Sequence, residues 1–98
     1  MRKDGIPRSF QLAGHTIKVR QVAATKWQHG ADSVGIFLPD EYAIELHGSL
    51  KGTDRQQTFC HEFFHAMFIV AGRDDLSDDE QLVDCLGHLL QQALTSFE

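Results

Sequence analysis

The sequence contains few of the residues that mark disulfide-rich or membrane-spanning chains. Among its 98 residues there are two cysteines, Cys60 and Cys85, and two prolines. Two cysteines are too few for a disulfide scaffold and favour a reduced, cytoplasmic protein. No apolar run approaches about 18 residues, so a membrane span is not expected, and no secretory signal is recognisable at the start. A composition of 42% hydrophobic and 23% charged residues predicts one folded domain over residues 1–98.

Charge is distributed unevenly along the chain. Residues 1–26 carry six Lys or Arg and one acidic residue, whereas residues 74–98 carry seven Asp or Glu and no Lys or Arg. The basic segment could touch nucleic acid, but it lacks the aromatic or helical pattern expected of such a surface. The acidic segment would repel phosphates. The sequence therefore argues against a nucleic-acid partner, and a regulator acting through the basic segment is a minor alternative.

The first half of the sequence predicts short strands. In residues 16–22, apolar Ile17 and Val19 alternate with Lys18 and Arg20, which is typical of a half-buried strand. Residues 23–32 are compatible with either a short helix or an irregular link. The Pro39-Asp40 pair predicts a tight turn and hence a hairpin. Four strands are predicted near residues 10–12, 16–22, 33–38 and 42–47.

The second half predicts two helices. Thr53 with Gln56 fits a capping box that begins a helix running to about residue 71, where Gly72 suits the C′ position. Ser77 with Glu80 repeats this signature before a helix to about residue 96. We therefore expect an α+β fold: a small, mainly antiparallel sheet of three or four strands packed against two or three helices.

The first helix contains the sequence H-E-x-x-H, formed by His61, Glu62 and His65. Residues four apart on a helix lie on one face, so the two imidazoles can share one metal ion. Glu62 projects about 100° away, beside that ion, where it can act as a general base. The alternative is a pair of core histidines whose ion-pair partner is Glu62.

A catalytic zinc site needs a third protein ligand. Glu80 is the preferred candidate, with Asp79 and Asp84 as alternatives. Asp84 could instead accept the outer N–H of a ligating histidine. The competing roles are capping for Glu80 and ordinary solvated charge for Asp84. Gly87 lies on the same flank, where its missing side chain would let the first helix approach.

Three further residues are candidates for stabilising a transition state. His88 follows Asp84 by four residues and is either a donor at the cleft or a surface histidine. Tyr42 and Arg73 could each stabilise an oxyanion, and the sequence does not choose between them.

The segments H61-E-F-F-H65 and E80-x-x-x-D84 together resemble the gluzincin metallopeptidases. Over residues 34–94 the chain is most similar to short, often phage- or prophage-encoded proteins related to the ImmA/IrrE family. The resemblance implies a minimal zincin-like domain holding one Zn²⁺ per chain, with Glu62 as base and Asp84 behind the ligands. It also implies that the strand at residues 42–47 forms the cleft edge and pairs with extended substrate. The implied ligands are His61, His65 and Glu80.

The sequence thus predicts a zinc-dependent endopeptidase. Glu62 would activate a metal-bound water for hydrolysis of peptide bonds, in a specific intracellular or phage protein. The alternative is a non-catalytic, zinc-stabilised binding or regulatory protein of phage or bacterial origin. The expected partner is a protein or peptide; a membrane is not expected, and nucleic acid is disfavoured.

Overall fold

The protein is an α+β fold, as the sequence predicts. The computed structural model describes residues 5–97. Within them, single 3-10 turns lie at Ala24–Lys26 and Pro39–Glu41. The strands are β1 (Ser9–Leu12), β2 (His15–Val22), β3 (Gly35–Leu38) and β4 (Ala43–His47), and the helices are α1 (Gly52–Val70), α2 (Asp74–Ser77) and α3 (Glu80–Ser96).

The four strands form one sheet in the order β1-β2-β4-β3. The outer pairings, β1 with β2 and β3 with β4, are antiparallel, whereas β2 and β4 pair in parallel. The mainly antiparallel sheet is therefore confirmed, although its central pairing is parallel. Because β4 has a neighbour on each side, the prediction that residues 42–47 form an open cleft edge is wrong. The edge strand on that side of the sheet is β3.

The core lies between one face of the sheet and α1. Ile17 and Val19 of β2 are buried, while Lys18 between them is exposed, as the alternation predicts. Ile44 and Leu46 extend the same apolar face on β4 and have no exposed surface. The α1 residues that cover this face include Phe59, Cys60 and Ala66.

Helix α1 ends where the sequence predicts, but it does not begin with the predicted capping box. Gly72 follows the helix at φ +76° and its N–H donates to the Ile69 carbonyl at 3.0 Å, which is a C′ conformation that glycine favours. At the other end, Lys51 occupies the N-cap without any side-chain cap. The Thr53–Gln56 capping box is therefore wrong, because Thr53 already lies inside the first turn.

The capping box predicted from Ser77 and Glu80 is also wrong. Asp79 is the N-cap of α3, and its Oδ1 accepts the N–H of Leu82 at 3.1 Å. Ser77 instead ends the short helix α2, which the sequence pattern did not predict. Glu80 is therefore the first residue of α3, and its carboxylate is not used in a capping box with Ser77.

The two long helices approach each other closely at Gly87. A Cβ atom on Gly87 would lie 3.2 Å from both the Cα and the N of His61, which is tighter than ordinary van der Waals contact. The expectation that this glycine admits the first helix is confirmed. Among residues 5–97, none of the helices has the length and apolarity that a membrane crossing requires.

Candidate metal centre

Three side chains from α1 and α3 converge at one point on the surface of the helix pair. His61 and His65 lie one turn apart on α1, and their Nε2 atoms are 3.2 Å apart. Glu80, at the start of α3, spans both imidazoles: its Oε2 is 3.3 Å from Nε2 of His61, and its Oε1 is 3.3 Å from Nε2 of His65. These three side chains could hold a metal ion.

The spacing of these atoms suits tetrahedral coordination. Bonds of about 2.0–2.1 Å from zinc to nitrogen or oxygen place neighbouring tetrahedral ligands about 3.3 Å apart. The nitrogen–nitrogen distance of 3.2 Å matches that value, and so does the 3.3 Å from each nitrogen to one carboxylate oxygen of Glu80, Oε2 for His61 and Oε1 for His65. Without a cation or a shared proton, two imidazole lone pairs and a carboxylate would repel one another at this range. The donor set therefore fits a small divalent cation.

The outer nitrogens of both histidines face oxygen atoms. Nδ1 of His65 lies 2.8 Å from the Ser77 hydroxyl, which can accept its N–H and so leave the Nε2 lone pair for a metal. Nδ1 of His61 lies 3.6 Å from Oδ1 of Asp84, beyond hydrogen-bond range but facing it. Burial lowers the pKa of His65, opposed by the charge of Glu80. This lowering favours the neutral imidazole that binds metals.

The Glu62 carboxylate lies beside this cluster, between α1 and the edge strand β3. Only 8% of its surface is exposed. A Cβ on Gly35 would lie 2.5 Å from Cγ2 of Thr58 and 3.2 Å from Cγ of Glu62, so any residue other than glycine here would force these side chains or β3 to shift. Burial, with a further contribution from the charge of Glu80, raises the pKa of Glu62 to about 7, while the N–H of Phe37 opposes the shift by donating to the carboxylate.

The alternative in which Glu62 is the ion-pair partner of the histidines receives no support from this geometry. Within residues 5–97, the ion pairs of His61 and His65 are made with Glu80 and Asp84, and none is made with Glu62. A buried carboxylate that is held by a backbone N–H next to a candidate metal centre is an arrangement typical of a general base.

A cavity of about 490 Å³ opens beside the cluster. Sequence reasoning did not single out its walls from β3 and the preceding segment, or Gln57 and Thr58 of α1. Helical spacing could have indicated Gln57 and Thr58, four and three residues before His61. No local signal connects residues 32–35 to the motif, because the sheet topology brings them there. The lining residues are Asp32, Ser33, Val34, Gly35, Gln57, Thr58, His61, Glu62, His65, Glu80 and Asp84.

The remaining candidates lie outside this cavity. Asp79 caps α3 and is absent from the metal-binding group. His88 is exposed, with Nε2 3.6 Å from Oδ2 of Asp84. Tyr42 stacks on His15 with ring centroids 4.4 Å apart.

Arg73 is also outside the cavity. It is exposed at the start of α2, where its Nη2 forms an ion pair with Asp75 at 2.9 Å. The structure therefore brings none of the three suggested transition-state donors into the cavity wall.

Comparison of the chain with known protein families, curated proteins and solved structures gives no match. The resemblance to gluzincins thus rests on the motif residues alone.

Proposed function

We propose that this protein is a zinc-dependent endopeptidase of gluzincin type. The observation that carries the proposal is the pairing of two features at one cavity. His61, His65 and Glu80 converge at the spacing of tetrahedral metal ligands, and the buried carboxylate of Glu62 stands next to them. Two imidazoles and one carboxylate are a ligand set of catalytic zinc, which keeps a fourth position open.

His61 and His65 would hold the ion from α1, and Glu80 would hold it from α3. When bound, zinc supplies a Lewis acid for a peptide carbonyl and lowers the pKa of water. Ser77 keeps the His65 ring oriented through its hydrogen bond to Nδ1.

Glu62 would move the proton in this reaction. Its carboxylate, once ionised, can accept a proton from the attacking water and then give it to the leaving amine. The N–H of Phe37 donates to this carboxylate and restricts its orientation. Burial raises the pKa of this carboxyl in the metal-free protein, and the positive charge of a bound metal ion would act in the opposite direction and favour the ionised form that accepts a proton.

A non-catalytic, zinc-stabilised binding protein would use the same three ligands. In that role the metal would join α1 to α3 and so stabilise a small domain. That function does not account for Glu62, because burying an ionisable carboxylate without an ion-pair partner costs free energy. The catalytic proposal accounts for it.

The decisive experiment compares the wild-type protein with Glu62→Gln, both loaded with zinc, on a proteome-derived peptide library. We expect the wild type to cleave peptides and Glu62→Gln to lose cleavage while retaining its zinc. Glu41→Gln, which removes an exposed carboxylate that does not line the cavity, is the matched control and should cleave normally. Zinc binding without any cleavage by the wild type would favour the binding protein.

A further inference from the structure

The cavity beside the candidate metal centre has walls of one charge sign. Four of its eleven lining residues carry carboxylates, and none of the eleven is Lys or Arg. With all four ionised, a divalent metal ion would offset two of these negative charges and leave two. A cleft lined by one sign of charge concentrates ligands of the opposite sign. The four carboxylates belong to Asp32, Glu62, Glu80 and Asp84.

Three of these carboxylates are already engaged, whereas the fourth is not. Glu62 accepts the N–H of Phe37, and Glu80 and Asp84 face the imidazoles of the cluster. Asp32 is exposed, and within residues 5–97 its side chain forms neither an ion pair nor a hydrogen bond. Asp32 is therefore the wall carboxylate that is available to a ligand.

An apolar surface lies next to this carboxylate. Val34 lines the same cavity and is 42% exposed, one of the few large hydrophobic side chains with so much free surface. A lysine or arginine side chain has an apolar stem and a charged head, and the stem packs on apolar surface while the head seeks polar partners. Asp32 and Val34 are chemically complementary to those two parts.

Two hydrogen bonds hold the chain at residues 33–35, directly after Asp32, before any ligand binds. The carbonyl of Val34 accepts the N–H of His47 at 2.8 Å, and the Ser33 hydroxyl donates to the carbonyl of Gly35 at 2.9 Å. The first bond ties Val34 to the end of β4, and the second is local to residues 33–35. Such preorganisation reduces the entropy that binding would otherwise cost.

We infer that this cavity selects peptides with a lysine or arginine side chain near the cleaved bond, and that Asp32 is the specificity-determining residue. The inference rests on the proposed function, since it concerns the substrate of the same site. Asp32 binds the cationic head, and Val34 contacts the stem.

The test uses dipeptide hydroxamates, which anchor to zinc and report binding without any cleavage. Two compounds carry lysine, one at the first position and one at the second. Two matched compounds carry norleucine at those positions, which has the same apolar stem without the ammonium group. We expect the zinc-loaded wild type to bind the better lysine compound about fivefold more tightly, the upper range for an exposed ion pair. Asp32→Asn should abolish this preference, and the preference should weaken with added salt.

Asp40→Asn is the control, because it removes the same charge from the exposed turn after β3, outside the cavity. It should retain the preference for lysine. If the wild type binds the lysine and norleucine compounds equally well, or if Asp32→Asn keeps the preference for lysine, the inference is overturned. Either result would leave the proposed peptidase activity intact. Loss of zinc from Asp32→Asn would also overturn it, since Asp32 would then be a metal ligand. Failure of every hydroxamate to bind would contradict both proposals.

Discussion

Replacing Glu62 by glutamine should make the metal-free protein more stable at neutral and alkaline pH. Burial raises the pKa of this carboxyl from its ordinary value of 4.5 to about 7, and the charge of Glu80 adds to the shift. Folding therefore favours the protonated form. The stability that this form contributes is fully present below pH 4.5 and is lost as the pH rises through 7.

The size of the effect follows from the two pKa values. Each unit of pKa difference corresponds to about 1.36 kcal/mol, so the ionised carboxylate costs the folded state about 3 kcal/mol above pH 7 and about 1 kcal/mol at pH 5. Glutamine has a similar shape and carries no charge at any pH. The free energy of unfolding of Glu62→Gln should therefore exceed that of the wild type by these amounts.

Urea unfolding followed by circular dichroism, with a chelator present at pH 5 and pH 8, measures this difference. Glu41→Gln is the control, because its carboxylate is 54% exposed, and this substitution should change stability by less than about 1 kcal/mol at either pH. A Glu62→Gln variant no more stable than the wild type at pH 8 would refute the reasoning, since the carboxylate would then be solvated. The same substitution should abolish proteolysis, as expected where a fold retains a functional group at a cost in stability.

Three other predictions concern the helix pair and its cysteines. Gly87→Ala should force α1 and α3 apart, because the nearest atoms to the new Cβ are backbone; we expect a loss of about 1–3 kcal/mol by urea unfolding and weaker zinc binding by competition with a chromophoric chelator. Ser77→Ala removes the oxygen that faces Nδ1 of His65 and should weaken zinc binding about 10–100-fold in the same assay, whereas unchanged affinity would mean that the hydroxyl does not orient the ring. Cys85 is exposed and Cys60 is buried with its pKa raised to about 11, so a thiol reagent should label one cysteine per folded chain and two after unfolding; two fast labels in the native protein would contradict the described burial of Cys60.

Much of the fold could be predicted because its signals are local. Alternation along residues 16–22 reports the side of β2 that is buried, and the spacing of His61 and His65 places both on one face of α1. Gly72 ends that helix because it adopts a left-handed conformation that other residues rarely do. Each of these features depends on a few neighbouring residues, so the sequence suffices for them.

The features that could not be predicted depend on which distant segments meet. Because β2 pairs with β4, β3 lies at one edge of the sheet, and no local pattern indicates that order. Ser77 has a typical capping spacing to Glu80, but the hydroxyl lies against Nδ1 of His65 because α2 intervenes. Asp32 also lies in the cavity wall because the sheet topology brings a distant segment there, and that segment carries no motif.

The central claim is that one metal ion links α1 to α3 through His61, His65 and Glu80. The most direct measurement is the zinc content per chain after dialysis, determined together on the wild type and on Glu80→Ala. We expect about one zinc per chain in the wild type and its loss, or a much weaker affinity, in Glu80→Ala. A wild-type protein that retains no zinc, or a Glu80→Ala protein that binds it as tightly as the wild type, would contradict the account.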